Sequence, residues 1–267
     1  MKKFLTTLSS VLFFSTLFAQ EANAIGPCDI SKVADQLPQL KIVTKGETVD
    51  LVLLKPQPNQ PLVMKIYTSL RFINEGFLAA GRMSLNAQRD LALALDLKAE
   101  ADIINQTIQN LNGDESIEEK NASMIKIQKD IDLEKKSKTA IKSLKAFDEE
   151  KKKVLTQAYI SSISSKAAMG AIAGAVVNLG LSTACIIDKI IKNDASLISD
   201  IQKNAAVISP EVIKSWPGQF KNIIANASAF GKINGQNSKM FKKVSKKAKV
   251  KLPKFTPPKP KVVESEL

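Results

Sequence analysis

The chain has 267 residues, a formal net charge of +13 and no histidine. The lack of histidine excludes Ser-His-Asp and Cys-His catalysis and ordinary zinc sites. An enzyme would have to use carboxylates, lysine, tyrosine or hydroxyl groups, and it is the third class of function that we consider. We expect no metal and no cofactor. From Lys239 onward ten lysines stand against two glutamates, so most of the excess positive charge lies at the C-terminal end.

Residues 1–24 have the pattern of a secretory signal peptide. Lys2 and Lys3 form the positive start, an apolar run follows, and Ala22-Asn23-Ala24 provides small residues for cleavage. We therefore predict a mature chain that begins at Ile25 and is exported to the periplasm or the outside of a bacterial cell. The alternative is an uncleaved membrane anchor, which the short apolar run disfavours.

The only two cysteines are Cys28 and Cys185. In an oxidising compartment two cysteines usually pair, so we predict a disulfide bond between them. The alternative is a pair of buried free thiols. A bond would tie the N-terminal segment to the second half of the chain.

The rest of the sequence predicts an all-α protein. Residues 25–60 form an N-terminal arm in which β-branched residues on both sides of Gly46 allow a small β-hairpin. Residues 61–193 predict an elongated, coiled-coil-like antiparallel helical hairpin. Its first helix spans 61–111, where apolar residues recur every three or four positions. A turn at Asn112-Gly113-Asp114 precedes a capping box from Ser116 to Glu119, and the second helix then runs on to about residue 193, with a break at Gly170, Gly174 or Gly180 as the alternative.

Shorter helices at 194–237 complete a multi-helix base, with a break predicted at Trp216-Pro217-Gly218. Residues 238–267 are rich in lysine and proline, which predicts a disordered basic tail.

The uncharged segment 167–187 allows three interpretations. It is a buried core helix, a membrane span, or a concealed segment that inserts into a target membrane. Gly170 and Gly174 have the spacing of a close helix-packing face, which Gly180 does not continue. The layout of long helices around one concealed apolar segment is similar to that of helical pore-forming toxins, at the level of the fold alone. The predicted disulfide favours the core helix.

The basic tail predicts binding to polyanions, with a merely solubilising end as the alternative. We expect an anionic envelope surface, lipid or polysaccharide, as its partner, and a protein as a further option. Specific nucleic-acid recognition is not indicated, because arginine is rare there and the only aromatic residues are Phe241 and Phe255. The candidate binding residues are Lys242, Lys243, Lys246, Lys247, Lys249 and Lys251. The sequence thus favours a non-catalytic binding or scaffolding protein of the cell envelope, with a membrane-inserting protein second.

Overall fold

The computed structural model describes residues 39–55, 60–143, 147–191, 195–204, 208–254 and 261–264, and within the long helices a few side chains, mostly after residue 176, lie outside this description. The chain is mostly helical. In order, its elements are β1 (Gln39–Lys45), β2 (Thr48–Lys55), α1 (Leu62–Ala94), α2 (Lys98–Asn110), α3 (Ile117–Asp130), α4 (Leu133–Ser143), α5 (Glu149–Ile191), α6 (Ala195–Lys203), α7 (Pro210–Ala248) and β3 (Lys261–Glu264).

The predicted apolar face of the first long helix is confirmed. Its residues recur every three or four positions along α1, which places them on one side of the helix, and all are at most 2% exposed. They are Ile66, Leu70, Ile73, Phe77, Ala80, Ala87 and Leu91. This face forms the centre of the core.

Helix α5 packs antiparallel to α1. Near the middle of α5, the Ser165 hydroxyl donates to the carbonyl oxygen of Ala80 at 2.7 Å. Farther along α5, the Ile172 side chain lies beside Gly76, which comes earlier in α1. Residues therefore meet in opposite order along the two helices, as they would in a helical hairpin.

Helix α7 runs parallel to α1 and is the third long helix of the core. Phe77 stacks on Phe230 with ring centroids 6.0 Å apart, and farther along both helices the Gln88 amide donates to Asn237 at 2.9 Å. The bundle therefore has three long helices, not the two of a simple hairpin.

The prediction of two uninterrupted helices is wrong in this detail. Asp96 has a φ of 59°, which ends α1, and α2 then folds back along it. The Arg82 guanidinium holds this fold by donating to the Leu111 carbonyl oxygen at 2.6 Å. Asp132, with a φ of 43°, separates α3 from α4. Aspartate is one of the few side chains that tolerates this left-handed conformation.

The capping box at the start of α3 is confirmed. The Ser116 hydroxyl accepts from the Glu119 backbone N–H at 3.2 Å, and the Glu119 carboxylate accepts from the Ser116 backbone N–H at 2.9 Å. Two backbone donors that the helix leaves free are thereby satisfied.

The break predicted at Trp216-Pro217-Gly218 is wrong, because α7 passes through these residues without interruption. Its start is capped by the Ser209 hydroxyl, which accepts from the Val212 backbone N–H at 3.4 Å. Trp216 is completely buried. Burial of the largest side chain stabilises the helix by more than the local propensity of proline and glycine disfavours it.

The predicted disorder of 238–267 is wrong for the described parts of that segment. Helix α7 continues to Ala248, since Met240, Phe241 and Val244 form a buried face at helical spacing. Lys261–Glu264 then form β3. The high lysine content of this segment predicted disorder because it outweighed these few apolar residues.

The predicted β-hairpin is confirmed as part of a three-stranded sheet in the order β1-β2-β3. Gly46 has a φ of 56° at the turn between the antiparallel strands β1 and β2, and β3 lies parallel to β2. The sheet packs on the helices through Ile42, whose side chain lies beside Gly76. Asp50 of β2 forms salt bridges with Lys45 of β1 at 2.6 Å and with Lys261 of β3 at 3.6 Å. The hydrogen bond from Lys45 is the main cause of the lowered pKa of Asp50.

A group of buried polar side chains, which we call the polar layer, crosses the core at one level. The Asn237 amide donates to Ser84 at 3.1 Å, and the Ser84 hydroxyl donates to Gln128 at 3.3 Å. Its members belong to α1, α3, α5 and α7 and are at most 8% exposed. They are Ser84, Gln88, Asn121, Gln128, Ser165, Asn234 and Asn237. Neither amide atom of the fully buried Asn121 has a hydrogen-bond partner, so the burial of this side chain is unfavourable.

Candidate functional site

The most distinctive charged feature is a row of lysines on the C-terminal part of α7, which we call the lysine stripe. Its members are one lysine followed by two adjacent pairs, and successive groups are three or four positions apart, so all of them share one side of the helix. They are Lys239, Lys242, Lys243, Lys246 and Lys247, and all are exposed. The structure therefore brings four of the six predicted tail lysines together on a helix that was expected to be disordered.

The other two predicted lysines follow the stripe. Lys249 is the left-handed residue that ends α7, with a φ of 55°, and its backbone N–H donates to the Ser245 carbonyl oxygen. Lys251 comes two residues later, and both lysine side chains are exposed. They extend the positive charge beyond the helix.

The opposite side of this part of α7 holds the stripe in place. Phe241 is fully buried, and its ring meets the Tyr159 ring of α5 edge to face at 6.0 Å. Val244 is also fully buried, one turn farther on. Because this face is fixed in the core, the lysines on the other side have a defined direction into solvent.

Several lysines on neighbouring elements form salt bridges, which the described residues do not provide for the lysines of the stripe. Four lysines of α4 and α5 lie within 3 Å of a carboxylate, in the pairs Lys136–Glu100, Lys138–Glu134, Lys151–Asp96 and Lys152–Glu149. No described carboxylate forms a salt bridge with a lysine of the stripe. The stripe is thus a row of positive charges that form no salt bridge with the carboxylates of the described residues.

The charge of the stripe acts on the adjacent helix. The hydrogen bond from Lys138 is the main cause of the lowered pKa of Glu134 in α4, and the positive charges of Lys243 and Lys239 lower this pKa further. A carboxylate near the stripe is therefore held in its charged form, as an anionic ligand would be.

The three glycines of the uncharged segment lie in different surroundings. A Cβ atom at Gly170 or Gly174 would meet nothing within 4 Å, and both residues are exposed, whereas Gly180 packs against the Phe220 ring. The expectation of close helix packing at Gly170 and Gly174 is wrong within this chain. Other residues of the segment, including Ile172, are buried in the core.

Within the part of the chain that the structure describes, no helix is long and apolar enough to cross a membrane. Cys185 is 8% exposed, and the described residues contain no free thiol. Cys28 and the cleavage site lie outside the described residues. The disulfide bond and the signal peptide therefore remain predictions.

The described residues contain no group of three or more side chains suited to hold a metal ion. A shallow cleft of about 230 Å³ lies between α2 and α3, at the end of the bundle where Lys120 donates to the Gly113 carbonyl oxygen. Its lining mixes two lysines and a glutamate with small polar residues and the apolar residues Leu111 and Ile127.

Sequence reasoning missed the polar layer and the order of the stripe. The second could have been found, because Met240, Phe241, Val244 and Ala248 have the spacing of one helix face. No family model, no curated protein and no solved structure matches this chain. The function is therefore proposed from the residues themselves.

Proposed function

We propose that the chain is an exported, non-catalytic binding or scaffolding protein of the bacterial cell envelope that attaches to polyanions through the lysine stripe. The observation that carries this proposal is the row of exposed lysines without carboxylate partners on an ordered helix. Each lysine near an anionic surface contributes about 1 kcal/mol of binding free energy. Salt weakens such attraction, because the Debye length is only about 8 Å at physiological ionic strength.

A tie between Cys28 and Cys185 belongs to this proposal, because it would secure the N-terminal arm to α5 after export. The reach of the chain supports it. Ile42 and Ile172 both lie beside Gly76. From Ile42 the chain back to Cys28 extends up to about 46 Å, whereas Cys185 lies about 20 Å along α5 from Ile172. The arm is long enough for the two sulfur atoms to meet.

The stripe is tested with a matched pair of variants of the mature chain. In the stripe variant Lys242, Lys243, Lys246 and Lys247 are changed to glutamine. In the control variant the exposed lysines Lys166, Lys203, Lys214 and Lys221 are changed in the same way. Both variants lose the same net charge, so they differ only in where the charge is removed.

Retention on immobilised polyphosphate, measured as the salt concentration needed for elution, is the readout. We expect the stripe variant to elute at much lower salt than the control variant. Equal elution of the two variants would show that net charge alone governs binding, and the stripe would then have no special role.

A second candidate function is membrane insertion through 167–187. One observation favours it: Gly170, Ala173 and Gly174 are exposed, so the uncharged helix is not enclosed on all sides by its neighbours. Release of a trapped dye from vesicles by the mature chain is the expected result of insertion, whereas a binding or scaffolding protein should release none.

A further inference from the structure

The residues around the stripe indicate which class of polyanion it binds. No aromatic side chain among the described residues is exposed: Trp216 and Phe241 are buried, and Tyr159 is half-buried against Phe241. Proteins that bind single-stranded nucleic acids usually stack the bases on accessible aromatic rings. The described residues around the stripe offer no exposed aromatic ring for stacking. The stripe is therefore suited to binding negative charge and not to binding nucleic-acid bases.

The stripe consists of lysines alone. Arginine would provide a planar fork that recognises one phosphate or carboxylate in a fixed geometry, whereas lysine acts as a mobile point charge. A row of lysines therefore responds to the density of negative charge on a surface. It does not require a particular arrangement of acceptor atoms.

The stripe also has no apolar side chains with which to enter a bilayer. The apolar residues of this part of α7, Phe241 and Val244, are buried in the core. The exposed large apolar residue of α7 is Ile224, which lies about 22 Å along the helix from Lys239. Helices that lie in the membrane interface need a free apolar face, and the described part of this surface provides none.

The cationic surface extends sideways onto α4. Glu134 of α4 is close enough for the charges of Lys239 and Lys243 to lower its pKa. Lys138 pairs with Glu134, and Lys142, one turn farther along the same side of α4, is exposed. Positive charge on two adjacent helices suits a broad surface better than a single thin chain.

Resting on the proposed function, we infer that the partner of the lysine stripe is the phosphate headgroup surface of an anionic lipid bilayer, contacted without insertion. The chemistry that is recognised is phosphate, which is also present in soluble polyphosphate. The bilayer is favoured because the described part of this surface spans two adjacent helices, presents point charges and has neither exposed aromatic rings nor free apolar side chains.

The experiment uses the mature chain, the stripe variant and the control variant. Binding is measured by co-sedimentation with phosphatidylcholine vesicles that contain phosphatidylglycerol, with pure phosphatidylcholine vesicles as the neutral reference. Trapped carboxyfluorescein reports insertion. We expect salt-sensitive binding to the anionic vesicles alone, a loss of up to roughly a thousandfold in affinity at low salt for the stripe variant, a clearly smaller loss for the control variant, and no dye release.

The outcomes separate this inference from the function on which it rests. Stripe-dependent binding to polyphosphate without binding to vesicles would overturn the lipid assignment and leave polyanion binding in place. Dye release that accompanies binding would overturn the inference that the stripe contacts the bilayer without insertion. Failure to bind either polyphosphate or anionic vesicles would overturn both proposals.

Discussion

Alanine substitutions at Gly170 and Gly174 test how α5 is oriented in the bundle. Both glycines lie in the interior of this helix, and nothing lies within 4 Å of the position that a Cβ atom would take. Alanine favours the helical state over glycine by about 1 kcal/mol. Because no neighbour has to move, we expect each substitution to raise the free energy of unfolding by about 0.5–1 kcal/mol, and the double variant by about twice that.

Alanine at Gly81 should have the opposite effect and lower the free energy of unfolding. A Cβ atom there would lie 2.6 Å from the sulfur of Met124 and 2.9 Å from the Phe230 ring. Overpacking of a filled core costs about 1–3 kcal/mol, which exceeds the gain in helix propensity. Gly180→Ala should also destabilise the chain, because its methyl group would meet the Phe220 ring.

Urea and thermal unfolding followed by far-UV circular dichroism measure both effects. For a chain of this size about 1 kcal/mol corresponds to a change of about 2–4 °C in Tm. We therefore expect the Gly170→Ala, Gly174→Ala double variant to melt a few degrees higher and Gly81→Ala to melt lower. A lower Tm for the double variant would refute the reasoning, since it would mean that this face of α5 is covered in solution. A change in molar mass by light scattering would then identify a second copy as the cover.

Three further predictions concern the core, one ion pair and the N-terminal part of the chain. Asn121→Leu should raise the free energy of unfolding in urea by about 1–3 kcal/mol, because it removes a fully buried amide without partners; a lower value would show that the amide is satisfied, for instance by an internal water molecule. The hydrogen bond from Lys136 is the main cause of the lowered pKa of Glu100, so this pair stabilises the fold above the ordinary glutamate pKa and loses that contribution as the pH falls through the lowered pKa. In Lys136→Gln, a carboxyl NMR titration should show the pKa of Glu100 closer to its ordinary value, and an unchanged pKa would contradict the assignment. Mass spectrometry of the exported protein without reductant should give a chain that starts at Ile25 and lacks two hydrogen atoms, and two alkylatable thiols would exclude the disulfide.

Local patterns in the sequence were sufficient for some of this fold. The apolar repeat of α1, the turn after α2 and the capping box at Ser116 each depend on residues a few positions apart. The β-hairpin at Gly46 is local in the same sense. Such features could be predicted because the interacting groups are neighbours in the chain.

Features that depend on distant residues could not be predicted. The sequence around Trp216 and Pro217 predicts a break, and the helix persists because Trp216 is buried in the core. The sequence pattern does not indicate the break at Asp96 either. A single left-handed residue changes the direction of the chain there, while the apolar repeat continues on both sides of it. At Trp216 packing against distant residues opposes the local preference of the sequence, and at Asp96 the local sequence does not mark the residue that becomes left-handed.

The candidate site was predicted in its residues and not in its structure. Lysine content indicated the part of the chain that contains the lysine stripe, including Lys242 and Lys247. The same content led to a prediction of disorder, because it outweighed the few apolar residues that attach α7 to the core, among them Phe241. Composition averages over both sides of a helix, whereas folding depends on each side separately.

The contacts between α1 and α7 determine when the core around α1 can be completed. Gln88 and Asn237 are 149 positions apart, so the side chains that complete the core of α1 are among the last to be synthesised. Contacts at such separation form slowly, because a long loop must be ordered first. A chain that emerges N-terminus first could pair α1 with α5, but the side of α1 that α7 covers would stay open until nearly all residues had followed. The core is therefore complete only when α7 has been added to α1.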